Sequence, residues 1–360
     1  MLGCNDSELS SKIFEIRQKG LNRYREDFTR RPVKFWLEKD RLLNKVGTSL
    51  VVILATRGCS WALSDKGGCS MCGYIYDTPI TVPDSESLIK QFDLAYDACR
   101  SVEGSLAIKI FTSGSFLDEQ EVPKAARKAI FKKIASDERV EEVIVETRPQ
   151  YVNYELLSEC HDILRDIYLE IGIGLETSND EIRNHYINKG FNLNEFERAV
   201  SIANKSGVGV KSYILIKPPF LREREAIIDS IQSAEDSFKI GVNSISFNPC
   251  TVHRGTLVEY LWNQGKYRPP WLWSVIEILK IISKNLTKNK RIICSLVGIG
   301  SEKGPHNCGK CDKRIKDLLA EFTLNQNPEV LLKAECDCKS EWRDYCEEEF
   351  IWDRTPDKYK

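Results

Sequence analysis

Three cysteines, Cys59, Cys69 and Cys72, follow directly on the apolar run Val51-Val52-Ile53-Leu54-Ala55, in the spacing C-x9-C-x2-C. An unbroken apolar run of this length predicts a strand buried on both faces, as in a parallel sheet. The thiols then stand just beyond the C-terminal end of that strand. Three thiolates are one short of the four that close a cubane iron–sulfur cluster or a structural zinc site. An iron held here therefore keeps a position for a small molecule. The alternative, a zinc knuckle, needs a fourth Cys or His close by, and the run has none at zinc-ligand spacing. Gly58, Gly67, Gly68 and Gly73 let main chain approach a cluster and offer N–H groups to its sulfurs.

Downstream, strand and helix alternate at the pace of repeated βα units. Strands are expected at 51–55, 106–111, 143–146, 167–175, 209–216 and 244–247, and helices at 84–100, 123–134, 153–164, 193–205 and 222–238. No internal repeat is found. The chain has 360 residues, 42% of them apolar, which is ample for one large domain with extensions. With no signal-peptide core and no long apolar run, a cytoplasmic protein without a membrane segment is expected. Thirteen cysteines in a reducing compartment read as metal ligands and core residues, and four histidines argue against a His-based metal enzyme. From Lys12 to Lys45 eleven Lys/Arg face five Asp/Glu, with Phe14, Tyr24, Phe28, Phe35 and Trp36 interleaved. Two basic amphipathic helices are expected there, either following a phosphate backbone or packed as a solvated pair.

The strings Arg57-Gly58-Cys59, Gly68-Cys69-Ser70-Met71-Cys72-Gly73-Tyr74, Glu146-Thr147-Arg148-Pro149 and Gly174-Leu175-Glu176-Thr177 resemble the radical S-adenosylmethionine (SAM) superfamily. The usual spacing there is C-x3-C-x2-C. The nine-residue gap is that of the Elongator catalytic-subunit branch, and from about residue 33 to 350 the chain is similar to the radical SAM subunit family of archaeosine synthase. The resemblance implies an α/β fold, a partial (βα)6 barrel over 47–260, flanked by a basic helical extension at 1–46 and a Cys-rich metal-binding extension at 261–360. It implies a [4Fe-4S] cluster on Cys59, Cys69 and Cys72, with SAM on the open iron, cleaved by one electron to give a 5′-deoxyadenosyl radical. It also implies the reaction, cleavage of a C–N bond in the lysine adduct of the 7-cyano-7-deazaguanine base of tRNA to leave archaeosine. The partners implied are tRNA, the lysine-attaching alpha-type synthase subunit and an electron donor such as ferredoxin or flavodoxin. Two other classes compete: another radical SAM RNA modifier performing acyl transfer or methylthiolation, and a non-catalytic metal-stapled or electron-transfer protein.

In such barrels the site is built from the loops after the strands. Thr112-Ser113-Gly114-Ser115 stands where the family cradles the SAM amino group with a Gly-Gly-Glu-like loop, yet it carries no acid, so hydroxyls and carbonyls are expected to serve. Glu146 is expected on ribose hydroxyls or an ammonium, Arg148 on a carboxylate, and Glu176 on SAM or substrate. Glu170, earlier in its strand, reads alternatively as a core acid paired with Lys or Arg. Lys217 is expected at the mouth, gripping a carboxylate or phosphate. Asn248, with Thr251, is expected to read an adenine edge or a substrate.

Beyond residue 260 come an apolar helix to about Leu286, a strand at 291–296, and the pairs Cys308/Cys311 and Cys336/Cys338. C-x2-C and C-x-C supply four thiolates for structural zinc or for an auxiliary iron–sulfur cluster, with His306 and Cys346 in reserve.

Overall fold

The structure is a computed structural model describing residues 6–24, 29–284 and 290–352. Phe28 and the expected helix end at Leu286 lie outside them. Every expected strand forms, and the crossover helices follow in turn. The first helix, α1, takes Asp6–Tyr24. The second helix expected before Lys45 is instead a strand, β1 (Lys34–Arg41), antiparallel to β2 (Val46–Ile53), with Lys34 opposite Ile53 and Arg41 opposite Val46. Pro32 bars a helix from entering this stretch, and Phe35 and Trp36 are β-formers placed beside an open sheet edge. The charges of Lys34, Lys39 and Arg41 discourage a further strand from pairing there.

After β2 come α2 (Ser60–Leu63), α3 (Ser85–Tyr96), β3 (Leu106–Phe111), α4 (Lys124–Ala135), β4 (Val140–Thr147), α5 (Tyr154–Leu164) and β5 (Tyr168–Glu176). Then follow α6 (Leu193–Lys205), β6 (Gly209–Ile216), α7 (Glu223–Ile240), β7 (Ser244–Pro249), α8 (Leu257–Asn263) and α9 (Leu272–Ser283). Side-chain caps fix the helix starts: Asp84 accepts from the Ser87 N–H, Asn153 from Leu156, and Asn192 forms a reciprocal box with Glu195. From β2 onward each strand pairs parallel with the next. The last is β8 (Arg291–Cys294), so the sheet runs past the boundary expected at residue 260. The sheet thus has eight strands in sequence order. The described residues end with α10 (Asp312–Asn325) and α11 (Cys338–Trp352). α10 packs on both β1 and β8, covering the gap between the sheet's two edges.

The face inside the curl carries charge near the N-terminal ends of the parallel strands. Arg291 donates to Glu142 at 3.0 and 2.6 Å, to Glu170 at 2.8 Å and to the Arg41 carbonyl at 3.1 Å, so β8 reaches β4, β5 and the far edge β1. Lys211 pairs with Glu170 at 3.0 Å, and Lys109 with Asp40 at 2.7 Å. Three carboxylates, Asp40, Glu142 and Glu170, are matched by three cations, Lys109, Lys211 and Arg291. Burial alone pushes the Glu170 carboxyl up, but Lys211 and Arg291 hold it below its ordinary value. Glu170 is therefore the paired core acid, far from the strand tops. Replacing Arg291 with Met strands the buried Glu142 carboxylate and leaves Glu170 with Lys211 alone. Urea unfolding is expected to show a loss of about 3–5 kcal/mol, partly recovered by Arg291→Lys.

Candidate functional site

The cysteine loop hangs between β2 and α3 at the C-terminal ends of the strands. Cys59 stands immediately before α2, and its N–H donates to the Ser113 hydroxyl at 3.0 Å. Cys69 and Cys72 share one turn, closed by the Cys72 N–H to the Cys69 carbonyl at 3.3 Å. Gly67 has φ +70°, and a Cβ there would meet the Phe14 main chain of α1 at 2.7 Å. Gly114 brings its backbone so close to Cys59 that a Cβ would stand 2.6 Å from the Cys59 Cα. The glycines are therefore needed for close packing around the loop.

Two side chains from elsewhere hold this loop. Arg17 of α1 donates to the carbonyls of Gly67, Cys69 and Cys72. Asn188 donates to the carbonyls of Lys66 and Gly68, both at 2.8 Å. Asn188 follows a π-helical turn, Ile182–Tyr186, and lies at φ +57°, a conformation that Asn tolerates better than most residues. Neither residue is legible as a site residue in the sequence, because a lone Arg in a basic helix and a lone Asn in a loop carry no local signal.

An acid six residues beyond the Thr112–Ser115 loop braces it. Glu121, 3% exposed, accepts from the Gly114 N–H at 3.1 Å, the Ser115 N–H at 2.6 Å and the Thr56 hydroxyl at 2.7 Å. Burial pushes its carboxyl up to about 7 against those hydrogen bonds. The loop hydroxyls are already engaged: Ser113 with Cys59, Ser115 with Thr147 at 2.7 Å, and Thr112 with the Gly114 N–H at 3.2 Å.

At the next strand ends, Arg148 is 6% exposed and lies between the Trp61 and Phe191 rings, 5.5 and 5.6 Å from their centroids. One terminal nitrogen donates to the Lys189 carbonyl at 2.9 Å, while its Nε is buried without a partner. Glu176 ends β5 at φ +67° and accepts from the Lys189 ammonium at 2.6 Å. Lys189 is a further site residue that sequence reasoning missed. Glu146 is half-buried beside Tyr213, and burial pushes its carboxyl up to about 7. Asn248 is also half-buried and accepts from the Ser246 hydroxyl at 3.2 Å. Lys217, expected as an open cation at the mouth, is instead 3% exposed with its ammonium on Glu223 at 2.7 Å. Glu223 also accepts from the Trp271 N–H and the Ser274 hydroxyl, so Lys217 is tied toward the C-terminal part of the chain.

The C-terminal cysteines form a second constellation. The Sγ atoms of Cys308, Cys311, Cys336 and Cys338 all lie within 4.8 Å of one another. Three edges measure 3.9 Å (308–311), 3.8 Å (308–336) and 3.8 Å (311–338). A tetrahedron with metal–sulfur bonds of about 2.3 Å has edges of about 3.8 Å, so the set fits a single ion. The Trp273 indole N–H and the Asn307 amide donate to Cys338 and Cys311, as partners of coordinated thiolates do. His306 instead turns its ring nitrogen to the Gly304 carbonyl. Cys308→Ser with Cys338→Ser is expected to remove one metal ion per chain and lower the melting midpoint by several degrees while leaving iron on the first site, measured by elemental analysis and thermal unfolding.

The raised carboxyl of Glu146 has a second consequence. Its folded value of about 7 exceeds the ordinary 4.5, so the folded state binds the extra proton in between. Its contribution to stability is complete below about 4.5 and is lost as pH rises through 7. Glu146→Gln is expected to flatten the fall in stability across that window, measured by denaturant unfolding of metal-free protein at stepped pH.

No protein-family model matches the chain. It is 44% identical over 349 residues to archaeosine synthase subunit beta of Methanosarcina acetivorans, covering 97% of this chain and 99% of that one. It is 37% identical over 309 residues to archaeosine synthase subunit beta of Thermococcus kodakarensis, covering 86% and 94%. Among solved structures it is similar to the archaeal Elp3 of Methanocaldococcus infernus, with TM-score 0.50 and 14% identity over 66% of this chain and 58% of that one, a likeness of fold.

Proposed function

The chain belongs to the archaeosine synthase beta-subunit family of the radical SAM superfamily, and from that premise we propose that it cleaves a C–N bond in a lysine adduct of the 7-cyano-7-deazaguanine base of tRNA, leaving the amidine of archaeosine. The observation that carries this reading is the incomplete ligand set at the strand tops. Three thiols on one clamped loop, with no fourth ligand from the loop itself, suit a [4Fe-4S] cluster whose remaining iron takes the amino and carboxylate groups of SAM. When bound, cluster and SAM supply one-electron cleavage of SAM and a carbon radical that removes hydrogen from an unactivated carbon.

The chain's own residues do the rest. The Thr112–Ser115 loop, braced by Glu121, lies against Cys59 and offers backbone carbonyls to the SAM amino group. Arg148, with its unpartnered Nε, suits a carboxylate, and Glu176 suits an ammonium, so the two match the zwitterionic end of SAM or of the attached lysine. Lys217 leaves this set, because its charge is used by Glu223. Glu146 and Asn248 are the polar groups for a ribose or a base edge. In this reading the surrounding barrel holds the reacting carbon in place and keeps water away from it.

For the C-terminal thiols we take zinc as the ion, since their edges match zinc–thiolate geometry and the set is closed. The partners in this reading are tRNA, an alpha-type subunit that attaches lysine, and a ferredoxin- or flavodoxin-class electron donor. No described helix is long and apolar enough to cross a membrane.

The test is nucleoside mass spectrometry on tRNA incubated anaerobically with this protein, a lysine-attaching synthase, lysine, SAM and dithionite. Archaeosine is expected, together with 5′-deoxyadenosine, and Cys59→Ser is expected to abolish both. A methylthio or acyl product in place of the amidine, or undiminished 5′-deoxyadenosine from the Cys59, Cys69 and Cys72 triple variant, overturns the assignment.

A further inference from the structure

Buried cations in this protein follow a rule with two exceptions. Among the described residues, eight Lys or Arg side chains are buried: Arg17, Arg127, Arg148, Arg183, Lys189, Lys211, Lys217 and Arg291. Six of them face a carboxylate: Arg127 Glu119, Arg183 Asp180, Lys189 Glu176, Lys211 Glu170, Lys217 Glu223, and Arg291 both Glu142 and Glu170. Arg17 and Arg148 face none. Both stand at the cysteine loop: Arg17 on the main chain of Cys69 and Cys72, Arg148 over the ring of Trp61, two residues after Cys59.

Arg17 is the more telling of the pair. It is 1% exposed, and its Nε donates to the Gly67 carbonyl at 2.8 Å. Its Nη2 donates to the carbonyls of Cys69 at 3.2 Å and Cys72 at 2.8 Å, while Nη1 is buried without a partner. The guanidinium lies 5.0 Å from the Tyr76 ring centroid, and Tyr76 is anchored by its hydroxyl to the Gly255 carbonyl at 2.6 Å. A permanently charged group removed from water with only carbonyls and the neutral Tyr76 phenol around it is costly unless an anion stands close by. Guanidinium does not escape this cost by losing its proton. The anion that the loop is built to hold is the thiolate-ligated cluster.

We propose that Arg17 is a positioning residue for the cluster, fixing the Cys69–Cys72 turn through three carbonyls and acting as the internal counter-cation that favours its one-electron reduction. This rests on the reading that Cys59, Cys69 and Cys72 hold a [4Fe-4S] cluster. The step is the transfer of one electron from an external reductant to the oxidised cluster, with no bond formed and no proton moved. It adds one negative charge to the site, and a fixed positive charge beside it lowers the energy of the product more than that of the reactant. The geometry of a planar fork matters separately, because one ammonium does not reach the same carbonyls together.

The experiment compares the full-length, anaerobically reconstituted protein with Arg17→Met, Arg17→Lys and, as a surface control on the same helix, Lys19→Met. The readouts are the cluster's midpoint potential by dithionite titration monitored by electron paramagnetic resonance, and the rate of iron loss to a chelator. Arg17→Met is expected to be at least tenfold harder to reduce, a shift of about 59 mV to more negative potential for a one-electron couple, and to lose iron faster. Arg17→Lys is expected to keep most of the potential yet lose iron faster, and Lys19→Met to match the wild type. Wild-type potential and iron retention in Arg17→Met overturn the inference while leaving the cluster reading intact. If Arg17→Met takes up no iron, Arg17→Lys decides: faster iron loss supports the proposal and wild-type retention overturns it. A wild-type protein that assembles no four-iron cluster overturns both.

Discussion

The molecule depends on bringing together three thiols that the sequence separates by nine and two residues, on a loop with little regular hydrogen bonding of its own. Carbonyls and amides in such a loop need partners, and they come from four distant places, one of them the stretch after β7, where the Val258 N–H donates to the Ser70 carbonyl and His253 accepts from the Gly73 N–H. Arg17 on α1 takes three carbonyls, Asn188 after β5 takes two, and the Ile187 carbonyl accepts from the Ser70 N–H. Ser113 after β3 accepts from Cys59. The loop is thus a junction of the N-terminal helix with the ends of three strands. An N-terminal segment that precedes the barrel in sequence is part of the site in space.

A curled, open sheet has two edges and no ring of hydrogen bonds to hold its curvature. Here the curvature is fixed at the end opposite the thiols by balanced buried charges. Arg291 spans from β8 to β4, β5 and the β1 carbonyl of Arg41, and α10 packs across the gap. The four-cysteine site sits where α10 and α11 begin, with Cys311 immediately before α10 and Cys338 opening α11. A metal there anchors the helix that closes the barrel.

Strands were legible because apolar runs such as Leu106–Phe111 have few other ways to be buried, and helices because caps such as Asp84, Asn153 and Asn192 precede periodic apolar residues. The two cysteine sets were legible from spacing. β1 was not, because its charged edge strand has the composition of a basic helix, and only pairing with β2 decides between them. Glu121, Lys189, Asn188 and Arg17 were illegible for one shared reason: each acts on a partner whose proximity is created by the fold. Lys217 shows the converse, since its place after β6 suggested an open site while a fully buried Glu223 six residues on claims its charge.

Glu176 and Lys217 make the same point chemically. Both end a strand in the left-handed region, at φ +67° and +62°, where side chains other than glycine are strained, and both are locked by a buried ion pair. Their partners separate them. Lys189, which holds Glu176, is two residues before Phe191, against which Arg148 lies, so this pair stands with Arg148 in the place that the proposed function gives to a zwitterionic ligand. Glu223, which holds Lys217, is also bonded to Trp271 and Ser274, and Ser274 to Trp342 of α11. That pair has no spare bonding and welds the β6 end to the C-terminal helices. Two similar strand ends thus differ in purpose, one being the ligand position of the proposed function and the other a structural rivet, and the difference lies in how many further groups the carboxylate must satisfy.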